Sequence, residues 1–372
     1  MKVLVVGGYG TFGGRTVELL EGEPHLILFV AGRSLAKADA YCKKRAPTAA
    51  QLLPALFDRD GDLAVGSDFV AGVSAFDEAA RNAGVFVLSG VSSFPVLTAA
   101  VVRRLSSDLT RVDGIRGGIA PSPFAGVGGN VIRAIAGYTG QPVRLVRNGR
   151  PEQGCPFTEQ LRYTIAPPGQ LPLRNTLFSL VDVPDLRALA ELWPEARTIW
   201  MGAGPVPEVL HRALIGLAWL VRAGLIGSLS PLAPLMHQAT NRLRWGEHRG
   251  GIFVEVEGSD RAGATGKRSW HLLAEGNDGP LIPSMAVEAL VRKVLAGHQP
   301  APGARAAVRD LELRDYEALF AGRTRSTPAS GTGPRTRTSR SIPSCSLPPG
   351  KAFPRQFGQC MTVRSRPQAA LA

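Results

Sequence analysis

Cysteine is scarce. Cys42, Cys155, Cys345 and Cys360 are the only four in 372 residues, and no two form a CxxC pair. With six scattered histidines, this spacing excludes a structural zinc site. The cysteines read as free thiols of a reducing, cytoplasmic compartment. Long apolar runs are also missing. Met1-Lys2 leads into Val3–Val6, which stops at a glycine turn and is too short for a secretory signal. His211–Ile226 is apolar on most sides, but it falls short of the ~20 residues of a membrane helix and contains Arg212 and Arg222. It reads as a buried or subunit-contact helix, with peripheral membrane contact as the alternative. Acidic residues are absent from one region. From Arg323 to Ala372 there are nine Lys/Arg and no Asp or Glu, which leaves only +4 of the net +13 on residues 1–322. A body so nearly balanced offers no clustered charge to a phosphate backbone, and specific nucleic-acid binding is not expected.

The N-terminal part alternates between strand and helix patterns. Lys2–Gly7, His25–Ala31, Gln51–Phe57 and Val85–Ser89 are short apolar runs, as in strands buried on both faces. Helices are expected over Thr11–Glu21, Leu35–Arg45 with Ser34 as N-cap, Asp68–Ala83, and Pro95–Leu105 with Pro95 in the first turn. Such alternation predicts a parallel sheet covered on both faces.

The first strand runs into Gly8-Tyr9-Gly10-Thr11-Phe12-Gly13, which opens a helix. That context turns a weak string into a dinucleotide-binding turn. Gly8 permits the tight turn, Gly10 lets the backbone approach a pyrophosphate, and Gly13 lets the helix lie against the sheet. The helix N-terminus offers free N–H groups to phosphate. The second strand ends Ala31-Gly32-Arg33-Ser34 with no acid for a ribose 2′-hydroxyl. Arg33 can pair with a 2′-phosphate and Ser34 can donate to it, so NADP(H) is expected over NAD(H). Ser89 and Gly90, at the end of another strand, are expected near the nicotinamide half, since ligands sit at the carboxyl ends of parallel strands.

Past Arg116–Asn130, a Gly- and Pro-rich stretch read as a crossing loop, the pattern becomes period two. Leu161/Tyr163/Ile165, Ile252/Val254/Val256 and Trp270/Leu272/Ala274 each share one face, which predicts an antiparallel sheet. The fold class is therefore α/β: a Rossmann-type parallel sheet and a second α+β domain containing an antiparallel sheet. The expected divisions are 1–120 for the cofactor domain and 121–282 for the substrate and dimerisation domain. Residues 283–322 hold a helix (Pro283–Ala296) that returns to the first domain, and 323–372 form a disordered basic tail.

Several segments together resemble the saccharopine-dehydrogenase-like oxidoreductases: Val5–Gly14, Ala31–Ser34, Asp68–Gly72, Gly84–Pro95, Arg244–Gly258 and Gly276–Gly297. The resemblance implies an NAD(P)-binding Rossmann domain, a second α+β domain, a homodimer and a small-molecule substrate, which in this family ranges from amino-acid conjugates to lipids. It also marks a departure. Between Asp62 and Asp68, roughly 40–50 residues of the family pattern are absent, about one βαβ crossover, so the Rossmann segment is shortened. The expected activity is NADP-dependent hydride transfer. The alternatives are a non-catalytic NADP-binding protein and a membrane-associated reductase of a lipid-like substrate. His248, beside Glu247, has acid/base chemistry but reads more simply as a structural histidine, and the catalytic residue is left unassigned.

Overall fold

The computed structural model describes residues 1–57, 70, 72–205, 207–275, 278–320, 325–328 and 361–363. The first strands form as their apolar runs require. β1 (Lys2–Val6), α1 (Thr11–Leu20), β2 (Ile27–Gly32), α2 (Leu35–Arg45) and β3 (Gln51–Leu56) give a parallel sheet in the order β1-β2-β3. Val3, Val5, Val17, Leu20, Leu28 and Val30 close a small core beneath α1. Ser34 caps α2 as expected, its Oγ accepting from the Lys37 N–H at 3.3 Å. Of the helix expected over Asp68–Ala83, the last part is present as α3 (Asp77–Asn82); residues 68, 69 and 71 lie outside the described residues.

β4 (Phe86–Ser89) follows, then a helical turn over Ser93–Leu97 that runs directly into α4 (Thr98–Leu105). Pro95 stands at the start of the helical backbone as expected, since only Phe94 before it is non-helical, and its peptide bond to Phe94 is cis. β5 (Leu109–Ala120) is a correction: the first third of the expected crossing loop, residues 116–120, is strand. The reason lies across the sheet. A Cβ on Gly117 would meet Met201 at 2.6 Å, and one on Gly118 would meet the ring of Phe178 at 2.8 Å and also overlap Phe253. These glycines make room for side chains on neighbouring strands and do not mark a loop.

The remaining elements are α5 (Gly129–Tyr138), β6 (Val143–Arg147), β7 (Arg150–Gly154), β8 (Gln160–Ile165), β9 (Leu173–Leu180), α6 (Asp185–Leu192), β10 (Thr198–Ala203), α7 (Glu208–Arg222), α8 (Ala233–Arg242), β11 (Gly250–Asp260), β12 (Thr265–Ala274), α9 (Ile282–Leu295), β13 (Gly303–Ala306), α10 (Leu313–Phe320), β14 (Arg325–Pro328) and β15 (Met361–Val363). The second sheet runs β14-β12-β11-β5-β10-β9-β8. It is mixed and not purely antiparallel, since β10 pairs in parallel with β5. It curls so that Tyr163 of β8 stacks on Phe253 of β11 at 3.8 Å. The outer face carries Ile252, Val254, Val256, Trp270 and Leu272, packed with α4 and α9 residues such as Val101, Met285 and Ala289. The inner face carries Phe253, Phe178, Ile165 and Leu273.

Because β5 is central to this sheet, the boundary between the two sheets falls between α4 and β5, not at residue 120. α9 returns to the N-terminal part as expected: it packs on α1, and its Val291 joins the small core. The parallel sheet itself is interrupted. β4 pairs with β13 in parallel and with β15 antiparallel, in a sheet separate from β1-β2-β3. In a doubly wound order the strand after the third one joins the first on its free side. Among the described residues no strand pairs with β1 on that side, where β15 lies against it without a ladder. The expectation of a tail without regular structure does not hold for β14 and β15; the rest of the tail lies outside the described residues. Cys42 is a buried free thiol, whereas Cys155 is disulfide-bonded, so free thiols describe only part of the set.

Candidate functional site

The glycine turn has the form that its residues dictate. Gly7 takes a positive φ of 73° and turns the chain out of β1. A Cβ on Gly8 would lie 2.8 Å from the Val5 carbonyl oxygen and 2.9 Å from Val30 Cγ1, so Gly8 lets the turn close on β2. A Cβ on Gly13 would overlap the Gly7 carbonyl, so Gly13 lets α1 sit against the turn. Gly10 differs. Its Cβ would meet only the Gly7 carbonyl oxygen, at 3.1 Å, and face open space otherwise. Gly10 is also the N-cap of α1, and no side chain caps that end. Unfilled space above an uncapped helix N-terminus fits a dinucleotide pyrophosphate.

The remaining turn residues anchor it. Tyr9 lies over Gly32, where a Cβ would clash with its ring, and the Tyr9 hydroxyl accepts from the Ser34 N–H at 3.0 Å. The glycine turn is thus tied to the end of β2. The Phe12 carbonyl accepts from Ser284 Oγ of α9 at 3.3 Å and from Thr16 Oγ1 at 3.1 Å. Arg33 is exposed at the end of β2, and no ion pair to it forms among the described residues. Ser34 serves chiefly as the cap of α2.

Ser89 and Gly90 lie at the carboxyl end of β4, but their side of the argument changes. Ser89 is fully buried and its hydroxyl donates to the Val70 carbonyl at 2.9 Å. It therefore holds the chain below β4 and offers nothing to solvent. Gly90 has φ 66°, and a Cβ there would meet Pro95 Cδ at 2.9 Å. Both residues shape the strand end, and β4 has no ladder to β1 among the described residues.

The opposite wall comes from the second sheet. Beyond β5, residues 121–128 cross to the turn, and a Cβ on Gly128 would lie 3.4 Å from Thr11 Oγ1. Gly128 is the N-cap of α5, again without a side-chain cap. Two uncapped helix N-termini therefore meet, and their dipoles favour an anion between them. Asn241 of α8 fixes this loop: Oδ1 accepts from the Val127 N–H at 3.2 Å, and Nδ2 donates to the Val127 carbonyl at 3.1 Å. His237, one turn earlier, comes within 3.9 Å of a Cβ position on Gly129. Phe124 stacks on the exposed His248 at 4.0 Å and 10°. Glu247 does not partner His248, because Arg249 takes its carboxylate at 2.6 and 2.9 Å. Two imidazoles thus flank the loop. Phe124, His237 and Asn241 are not legible as site residues in the sequence. Their partners lie more than a hundred residues away, and the only local signal is the glycine density of 126–129.

A parallel sheet whose glycine turn feeds a helix, faced by a curled mixed sheet, gives the chain an α/β fold of the Rossmann type. No family model matches it, and no curated protein matches it in sequence. Among solved structures it is similar to the apo histidine-tagged saccharopine dehydrogenase (L-Glu forming) from Saccharomyces cerevisiae. The TM-score is 0.60 at 14% identity, over 88% of this chain and 100% of that one. GenD2 from gentamicin A biosynthesis, in complex with NAD, aligns with a TM-score of 0.38 at 13% identity, over 88% of this chain and 97% of that one. The chain has a saccharopine dehydrogenase-like fold.

Proposed function

We propose that this protein is an NADP(H)-dependent oxidoreductase that binds its cofactor on the Gly8–Gly13 turn and transfers a hydride to or from a small molecule between the two sheets. The observation that carries this reading is the open, uncapped N-terminus of α1 at Gly10, with the exposed Arg33 at the end of β2. When bound, the cofactor supplies the hydride chemistry. The chain's residues would hold the pyrophosphate on N–H groups of α1, pair the 2′-phosphate with Arg33, and orient substrate against loop 121–128. His237 and His248 are the groups at that loop that can move a proton. Calorimetric titration with NADPH and with NADH tests the binding step. Micromolar NADPH binding with much weaker NADH supports it, and no binding of either overturns it.

A second reading has its own support. Among the described residues β1 has no parallel partner strand on its free side, and in a doubly wound sheet that neighbour carries one edge of the cofactor crevice. A protein that binds NADP(H) without catalysis follows from this feature. Hydride exchange between labelled NADPH and a panel of carbonyl and imine acceptors separates the two readings.

A further inference from the structure

The helical hairpin beside the site leaves an unusual surface. α5, α7 and α8 share a small core of Ile132, Ala136, Val221, Leu229 and Ala233. Their outward side is not polar. On α7, Val209 (62% exposed), Trp219 (45%) and Leu220 (38%) lie on one stripe with Arg212, Ala213, Gly216 and Ala223. Leu225 (74%), Leu232, Leu235 (65%), Leu243 and Trp245 continue it through the turn and along α8. Large apolar groups so exposed in one segment mark an interaction surface.

The charge of the same segment selects the partner. From Val209 to Gly246 there is no Asp or Glu, while Arg212, Arg222, Arg242 and Arg244 are present. Arg212 is matched by Glu208, and Arg222 lies over the Trp219 ring at 4.7 Å. Arg242 and Arg244 are exposed, and neither forms an ion pair among the described residues. A two-fold contact would set this patch against itself, arginine facing arginine with no acid to separate them. Leucines and tryptophans interleaved with arginines instead match the boundary between acyl chains and anionic headgroups. No helix among the described residues is long and apolar enough to cross a membrane, so contact would be peripheral.

We infer that the α7–α8 face docks on a bilayer surface bearing anionic lipid. α8 also carries His237 and Asn241, so docking would set the wall of the candidate site close to the membrane. The inference does not depend on the cofactor reading, because it is measured without cofactor.

The test is co-sedimentation of the full chain with vesicles of phosphatidylcholine alone, or of equal parts phosphatidylcholine and phosphatidylglycerol. Binding to the anionic vesicles and little to the neutral ones is expected. The double variant Leu225→Glu/Leu235→Glu should weaken that binding by at least about tenfold, as loss of both apolar insertion and charge attraction requires. Trp245→Ser should weaken it less. Melting temperature and far-ultraviolet circular dichroism of each variant report folding separately. The inference is overturned if the wild type ignores anionic vesicles, or if both folded variants bind like the wild type, which would assign binding to the basic tail. It is equally overturned if light scattering shows a dimer that the variants split, because the face would then be a self-contact.

Discussion

Asp185 opens α6 and is completely buried, and neither carboxylate oxygen has a hydrogen-bond partner of good geometry. Ser93 Oγ, also buried, is likewise unpartnered. Burial raises the carboxyl from its ordinary 3.8 to about 7, against the favourable effect of Thr98 and of the backbone at the helix start. Between those two values the folded protein holds a proton that the unfolded chain has released. Stability from this group is therefore fully present below the unfolded value and is lost as pH rises through about 7. Three units at about 1.4 kcal/mol each set the scale at roughly 4 kcal/mol. Asp185→Asn keeps the shape and stays neutral, and Ser93 and Thr98 can accept from its amide. The variant should match the wild type near pH 3 and exceed it by roughly 4 kcal/mol at pH 8.5, most of the change falling between pH 4 and 7. Urea unfolding of both proteins across that range, compared pairwise, cancels the titrations they share. A pH-independent difference would refute the reasoning. A wild type that gains on the variant as pH rises would show that the carboxylate is paired with a cation.

Arg33→Ala should weaken NADPH by roughly 10- to 100-fold and leave NADH nearly unchanged, since one charge-assisted contact to the 2′-phosphate is worth about 1.5–3 kcal/mol; equal losses in calorimetry would place the arginine elsewhere. Gly10→Val and Gly13→Val should separate site from scaffold. The first should fold with near-native circular dichroism and lose the dinucleotide, whereas the second, blocked by the Gly7 backbone, should lose the fold of the N-terminal sheet. Arg103 binds the Glu312 carboxylate at 2.9 Å and the carbonyls of Val308 and Leu311 at 2.6 and 2.5 Å. Arg103→Ala should cost about 2–4 kcal/mol and raise hydrogen exchange first in the 303–320 segment.

Features set by near neighbours in the chain were readable. The glycine turn, the Ser34 cap and the period-two faces of β8, β11 and β12 follow from residues a few positions apart, and the structure has them at those places. β5 was misread because its glycines answer to Phe178, Met201 and Phe253, which no local pattern connects to them. Ser89 was misread differently. Strand ends predict where ligands lie, but the direction of one hydroxyl depends on Val70. The wall formed by residues 121–128 depends on Asn241 and was likewise invisible.

The break between β1 and β4 has a mechanical meaning. Among the described residues no backbone ladder joins β1-β2-β3 to the other sheets, and the nucleotide half meets the body through packing of α9 on α1 and of β15 along β1, the Ser284–Phe12 bond and the Arg292–Glu23 ion pair. Side-chain packing yields more readily to sliding than a ladder does, and this seam is where the molecule should give under load. A ligand gripping both Gly10 on one side and the Gly128 end of α5 on the other would act as a strut across it. At a hundredfold excess over its dissociation constant such a strut adds about 2.7 kcal/mol, and it would turn two loosely hinged pieces into one that unfolds in a single step.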